Sequence, residues 1–458
     1  MDSRELLAGW GRSNVSAATV ARPTSASEIE SLLAPANGRL IARGLGRSYG
    51  DAAQCAGGTV LDLTALDEID PVDSSGSVRV EGGVSFDALI RELVPQGRFV
   101  PVSAGTRFIT VGGAIASDIH GKNHHVDGAI SAHVQQFTLG TPSGTVCCTP
   151  LDHAEEFWAT CGGMGLTGVV LDATMRTIPI ETSKMSVDTD RVDDLDACLA
   201  MLESEHGKYR YSVAWVDALA SGDHLGRAVL SRGDHARRDE LSRRDAKEPL
   251  AYGPRRPISI PATPPVSLLN AATVAAFNEL WFRKAPKHSV GHLESIPVFF
   301  HPLDAVGRWN VLYSGRGFTQ YQFVVPFGAE DALRLVLERL SSARIASFLT
   351  VLKSFGPQDP GHLSFPIEGW TLALDLPLGT LGLAEILDDL DLAVAESGGR
   401  VYLTKDGRLR PELLAQMYPR LDEWRAVRDR LDPKGVLSSD LGRRLGLVDS
   451  YRPGKENK

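Results

Sequence analysis

The sequence predicts an α+β fold in two domains, and three successive textures carry that expectation. Up to about residue 180, short strands and helices alternate between glycine turns. From about 185 to 400, longer half-buried strands alternate with amphipathic helices, and from Tyr402 to Leu447 a compact helical texture returns. At 458 residues the chain is long enough for two or three cores of ordinary domain size and a large site between them. The boundaries fall at 1–182 for the first domain, 183–400 for the second and 401–447 for a return to the first, with 448–458 as a disordered tail.

In order along the chain, SASEIESLLA reads as helix and RLIARG as strand. TVLDLTAL and SVRVEGG read as strands, and FDALIRELVPQG as a helix stopped by its glycine. YRYSVAWVDA and TQYQFVVPF alternate as half-buried strands do, whereas EDALRLVLERLSSA and LAEILDDLDLAVAESGG repeat apolar residues at helical spacing. The Arg-, Asp- and Pro-rich stretch between Ser231 and Pro265 reads as a mobile loop. RPELLAQMYPRLDEWRAVRDRL is helical again, and no repeat or heptad run interrupts the pattern.

Hydrophobic residues at 43% and charged residues at 23% are the profile of a folded globular chain. A net charge of −9 excludes general nucleic-acid binding, which needs clustered basic surface. The five cysteines, Cys55, Cys147, Cys148, Cys161 and Cys198, lack metal-ligand spacing and are expected to be buried free thiols. The first residues show no secretory signal, and no window reaches the roughly 18–20 apolar residues of a membrane span.

The chemistry concentrates in three glycine turns. In IARGLGRSYGD the spacing of Gly44, Gly46 and Gly50 is G-x-G-x-x-x-G, and no long helix follows directly. That departs from the G-x-G-x-x-G of a nicotinamide-dinucleotide fold, yet such a turn can still offer consecutive backbone N–H groups to an anion. The second turn, GTRFITVGGAIASDIHGKNHH, sets small residues before a polar cluster of Asp118, His120, Lys122, Asn123, His124 and His125. FWATCGGMGLTGVV is the third. Three such turns in one domain point to a long ligand held along the backbone.

These stretches, R-G-L-G-R-S-Y-G-D, G-T-R-x-x-T-V-G-G-A-I-A, D-I-H-G-K-N-H-H and F-W-A-T-x-G-G-x-G-L-T-G, resemble the FAD-binding domain of the vanillyl-alcohol-oxidase superfamily. Within it the chain is similar to the decaprenylphosphoryl-β-D-ribose 2′-oxidase family, through A-W-V-D-A, H-P-L-D, Q-Y-Q-F-V-V-P, S-F-P-I-x-G-W, Y-L-T-K-D and L-D-P-K-G-V-L-S-S-D-L-G-R-R-L. The resemblance implies a two-domain FAD fold with the substrate domain on an antiparallel sheet. It implies non-covalent FAD, although histidine tethers in the wider superfamily leave His120 and its neighbours open to a covalent link. It sets Ala42, Arg43, Gly44, Leu45, Gly46, Arg47, Ser48, Tyr49, Gly50, Asp51 and Ala52 around the FAD pyrophosphate, with Arg43 or Arg47 assisting. Gly105, Thr110, Val111, Gly112, Gly113, Ser117, Asp118, Ile119 and His120 would run along the cofactor, with Val170 and Tyr402 completing the pocket.

The implied reaction is oxidation of the 2′-hydroxyl of a polyprenylphosphoryl-β-D-ribose to the 2′-keto sugar. That is the first half of an epimerisation to the arabinose donor of cell-wall arabinan, with an NADH-dependent keto-reductase as partner. The protein would meet the inner membrane peripherally. Family members are assigned to the periplasm or cell envelope, and the absence of an export signal here leaves the cytoplasmic face open.

Lys405 in Y-L-T-K-D matches the family's active-site lysine. As a base it would have to be neutral, which means lowering a pKa of about 10.4 by roughly 3 units at a cost on the order of 4 kcal/mol. As a cation it needs no such shift, so a polarising and positioning role is favoured. The base stays open among Lys405, Tyr49, His120 and a bound water. Gln320 and Gln322 share one face of a strand and are candidates to bind the sugar or phosphate, as are Trp215, Lys353, Ala373 and Lys405 itself. Close relatives carry cysteine at the position of Ala373, and Met164 stands where a polar residue is common, while His301 reads as a turn residue. Two other functions remain: an oxygen-using oxidase of free sugars, alditols or aldonolactones, and a flavin-fold scaffold without catalysis.

Overall fold

The computed structural model describes residues 3–34, 38–255 and 257–448. The N-terminal region carries two four-stranded sheets. In the first, Ser3–Ala8 pairs antiparallel with Val15–Ala21, which lies parallel to Thr59–Asp62, which in turn lies parallel to Leu40–Arg43. Parallel strands need a crossover, supplied by the helix Ala26–Leu32, whose N-cap Ser25 accepts from Glu28 N at 3.3 Å. The second sheet is antiparallel in the order Ser77–Glu81, Val169–Arg176, Val134–Thr141, Gly144–Cys148. The helix Phe86–Leu93 buries Phe86, Leu89, Ile90 and Leu93 along one stripe, capped by Ser85.

The middle of the chain forms one eight-stranded sheet. Its order is His288–Ser295, Lys184–Val192, Ala228–His235, Tyr211–Val216, Thr350–Phe355, Gly369–Pro377, Phe318–Pro326, Arg400–Val401, with antiparallel pairing throughout. The pleat divides the residues of each strand between two faces. On one face Tyr321, Phe323, Leu352, Leu372 and Leu374 are buried in a common core with residues of the helices Leu195–Ser204, Glu330–Ser342 and Leu383–Glu396. On the other face the register aligns Gln322, Ala373, Val351 and Trp215 in one row across four strands, and Thr371 and Lys353 in the next. Polar residues inside a buried sheet need partners, and this face is where the site lies.

The C-terminal return closes the first domain. Leu40 N donates to Val436 O at 2.8 Å and Ser438 N donates to Leu40 O at 2.9 Å, so residues 436–438 add to the edge of the first sheet. Arg444, on the helix Asp440–Arg444, donates to both carboxylate oxygens of Asp51, at 3.1 and 2.8 Å, and to Asp406 at 2.9 Å. One guanidinium thus ties the first glycine turn to the loop that carries Lys405.

Three expectations need correction or limits. Ser231–His235 is not loop: it completes the strand Ala228–His235, where buried Arg232 bridges Asp190 and Glu205. Paired in this way, the charges that made the segment read as solvated are compatible with a sheet. Beyond it the chain is pinned by Ser183, whose N donates to Pro249 O and whose Oγ donates to Ala251 O, each at 2.7 Å. Cys147 is exposed on the edge strand Gly144–Cys148, while the other four cysteines are buried. The expected disordered tail lies outside the described residues except for Val448, which is buried. Among the described residues no helix is long and apolar enough to cross a membrane.

Candidate active site

A cavity of ≈ 1730 Å³, counted out to its open mouth, lies between the glycine turns and the polar face of the large sheet. It runs from the first glycine turn past Gly105 and Val170 to Gln320, Gln322 and Lys405, a path along which an extended ligand would touch both domains. One wall is the first turn. Among the described residues, the backbone N–H groups of Leu45, Gly46, Arg47 and Ser48 have no hydrogen-bond acceptor within the protein. N–H groups left in series without an acceptor are a site for an anion. Gly46 makes the turn with φ +65°, left-handed backbone that disfavours side chains.

The two arginines of that turn divide their work. Arg43 is committed to structure: Nη1 donates to Ala53 O at 3.0 Å and Nη2 to Ala8 O at 2.8 Å. Arg47 stacks over Trp10 at 3.8 Å, and its buried Nε has no partner, so it is the arginine available to an anion. The second turn follows as Thr110 caps the helix Val111–Ala116, and Gly112, Gly113 and Ser117 line the cavity with Gly105. An added Cβ at Gly105 would meet no protein atom within 4 Å. A glycine-walled cavity with free N–H groups in series and an unpaired arginine fits FAD.

Of the expected cofactor contacts, Ala42 to Tyr49, Ala52, Gly105, Thr110, Gly112, Gly113, Ser117, Ile119, His120, Val170 and Tyr402 line this cavity. Gly50, Asp51, Val111 and Asp118 do not. Gly50 packs against the backbone of Asp406, Asp51 is held by Arg444, and Val111 is core. Asp118 accepts from Ser364 Oγ at 2.6 Å and from Ser131 N at 3.2 Å, behind the wall. Each is bonded or packed behind the cavity wall and does not face its inside. Trp215 is a further correction: it shares the sheet face of Val351 but sits one strand beyond it and does not line the cavity.

The sheet face, with the two glycine turns and the loop that carries Lys405, supplies two polar clusters. In the first, Lys405 Nζ lies 3.9 Å from the centre of the Tyr49 ring, and Gln320 Nε2 donates to Asp375 Oδ1 at 2.5 Å. Burial drives the Lys405 ammonium and the Asp375 carboxyl each toward neutrality, and the attraction between them opposes it. Burial also raises the Tyr49 phenol well above its ordinary value, with Asp375 adding to the rise, which makes Tyr49 a poor base. Asp375 was not foreseen, although its place two residues beyond Ala373 on an alternating strand puts both on one face.

In the second cluster, His120 lies with Nε2 3.0 Å from the Gln322 amide nitrogen and Nδ1 3.1 Å from Lys353 Nζ. Phe355, Phe365 and Tyr402 surround the ring. Burial, reinforced by Lys353, pushes its pKa well below the usual value, so the imidazole is neutral. Leu303 and Trp309 form a further wall that sequence reading missed. His301, read as a turn residue, is buried with Nε2 2.8 Å from Ser103 Oγ.

Comparison with known proteins agrees with this geometry. A sequence model of an FAD-binding domain matches residues 17–149, and one of D-arabinono-1,4-lactone oxidase matches residues 384–445. The chain is 43% identical to the decaprenylphosphoryl-beta-D-ribose oxidase of Mycolicibacterium smegmatis, over 96% of this chain and 97% of that protein. It is 24% identical to an L-gulono-1,4-lactone dehydrogenase of Mycobacterium tuberculosis, over 96% of this chain and 99% of that protein. It is 31% identical to the L-gulonolactone oxidase of Mus musculus, over 40% of this chain and 43% of that protein.

Proposed function

We propose, from the premise that this chain belongs to the FAD-dependent oxidoreductase family of decaprenylphosphoryl-β-D-ribose oxidase, that it oxidises the 2′-hydroxyl of a polyprenylphosphoryl-β-D-ribose to the 2′-keto sugar. The observation that carries this reading is Lys405, on the loop after Arg400–Val401, lining with Gln320 a cavity walled by the glycine turns and feeling the charge of Asp375, which accepts from Gln320. Bound FAD supplies the acceptor for the hydrogen and two electrons lost from C2′. The free N–H groups of residues 45–48 and Arg47 would hold its pyrophosphate, while Lys405 would polarise the sugar oxygen as negative charge develops on it. Gln320 and Gln322 line the same space and would orient the sugar.

Anaerobic mixing of the FAD-bound protein with the lipid-phosphate ribose should bleach the flavin in a single turnover, with the keto sugar as product. Bleaching instead by free alditols or aldonolactones, with peroxide release in air, would establish the rival oxidase reading. The match of residues 384–445 to a lactone oxidase is what favours that rival.

An epimerisation changes no net oxidation state, so the keto product must gain a hydride again, and we assign that step to an NADH-dependent keto-reductase as partner. A lipid-linked substrate also requires access to a membrane surface, and we place the protein peripherally at the inner membrane. The helix Ala271–Lys284 supports that placement. It exposes Leu280 and Trp281, preceded by exposed Val266 and Leu268 and followed by exposed Arg283, Lys284 and Lys287. Leu269 of the same segment packs with the Trp309 cluster at the cavity wall. Apolar residues beside basic ones suit an anionic bilayer. Since burying each large side chain is worth about 1.5–3 kcal/mol, the double variant Leu280→Glu, Trp281→Glu should lower co-sedimentation with anionic vesicles at least roughly tenfold. Unchanged co-sedimentation would remove this helix from the contact.

A further inference from the structure

We propose that Lys353 is the residue that takes the proton of the sugar hydroxyl, with His120 and Gln322 as positioning residues that aim its lone pair into the cavity. The proposal rests on the oxidation proposed above and assigns the base that the sequence leaves open.

Two buried lysines line the cavity, and their surroundings differ in sign. Lys405 has Asp375 as an opposite charge. The charged groups facing Lys353 are Lys122, from the turn after His120, and Lys405, both cations; among the described residues no carboxylate faces it. His120 beside it is neutral, and His124 behind is engaged by Asp359 at 3.2 Å. A buried ammonium without a counter-ion is costly, so the neutral amine belongs to Lys353 and the cation to Lys405. Burial lowers both lysines from 10.5 to about 7, so what separates them is the neighbouring charge: Lys122 and Lys405 push Lys353 further down, whereas Asp375 holds Lys405 up.

Geometry decides where the amine's lone pair points. Lys353 Nζ lies 3.3 Å from Gly121 O and 3.1 Å from His120 Nδ1. When both accept, two N–H bonds are used and the lone pair faces the cavity. That needs the ring proton on Nε2, with the Gln322 side-chain oxygen receiving it. The structure holds the opposite setting: Gln322 Nε2 donates to Thr371 Oγ1 at 3.3 Å and faces His120 Nε2 at 3.0 Å, and Thr371 Oγ1 donates to Phe323 O at 2.8 Å. The ring proton is then on Nδ1 and occupies the lone pair of Lys353. A half-turn of the Gln322 amide separates the two settings and frees the base.

In the step itself the hydroxyl O–H bond breaks and an N–H bond forms on Lys353, while the C2′ hydrogen leaves with two electrons to the FAD and the oxygen becomes the ketone. The ammonium returns its proton to water after the product leaves.

The FAD-bound protein allows two independent readouts. In the first, wild-type flavin bleaching should accelerate as pH rises through about 7, because deprotonation of Lys353 creates the base. Lys353→Ala should retain FAD, lose this limb, bleach about 10²–10⁴-fold more slowly and recover part of its rate with small primary amines. Bleaching within threefold of wild type, or an unchanged limb, would overturn the assignment. The second readout is nitrogen-15 NMR without substrate. Lys353 should be the lysine that is neutral above pH about 7 with Lys405 an ammonium, and the reverse assignment would overturn the proposal. Thr371→Val should move the His120 proton from Nδ1 to Nε2; an unmoved proton would remove the positioning role. If wild type fails to bleach with the lipid sugar, the substrate reading falls, and the NMR outcomes still judge this one.

Discussion

Lys405→Ala is expected to keep its yellow cofactor and lose substrate-driven bleaching by about 10³-fold, the scale of removing a single electrostatic stabiliser from a developing oxyanion. The fold should survive because the partner left behind can discharge itself. Without the ammonium, burial favours the protonated form of Asp375, whose Oδ1 still accepts from Gln320. No free N–H group of residues 45–48 is touched by the change. Lys405→Arg separates cation from base. It keeps a charge that cannot be deprotonated in a protein, so a polarising role predicts partial activity in the arginine variant and a basic role predicts none. Stopped-flow bleaching of both variants measures this, and a rate for Lys405→Ala within threefold of wild type would take Lys405 out of the chemistry.

How much of the site was legible depends on what each feature needs from the rest of the fold. A glycine turn is written locally, because small residues and positive φ are local requirements, and Gly44 to Ser48 indeed form one wall of the cavity. A charge pair between distant segments is not. The charge of Asp375 reaches Lys405 only because the strand Gly369–Pro377 and the loop after Arg400–Val401 flank the same strand, Phe318–Pro326. Period-two alternation correctly puts Gln320 and Gln322 on one face, but it carries no information on how far across a sheet a site extends. Trp215 has the right face and the wrong strand for that reason. Asp51 has a similar history: the motif around it lines the cavity, while the carboxylate itself holds Arg444, nearly 400 residues later in the chain. Only the first five residues of the Ser231–Pro265 stretch misled through composition, since the partners that neutralise Arg232 lie on other elements.

The same locality makes two glycines of the site separable by experiment. Gly50→Ala would push a Cβ to within 1.8 Å of Asp406 O, a backbone atom that cannot rotate away, so this variant should lose stability with or without cofactor. Gly105 is the opposite case: it lines the cavity, and a Cβ there meets no protein atom within 4 Å. Gly105→Leu should therefore leave the apo-protein's melting temperature unchanged while its side chain fills space the cofactor needs. Forced overpacking typically costs 1–3 kcal/mol, which corresponds to about a 5- to 150-fold loss of FAD affinity in a titration of apo-protein by flavin fluorescence. Unaltered FAD affinity in Gly105→Leu would mean that the cofactor does not run past this turn. A fall in apo stability equal to that of Gly50→Ala would mean that the space beside Gly105 closes when the cavity is empty, and the fit of the cradle to FAD would then have to rest on the free N–H groups of residues 45–48 alone.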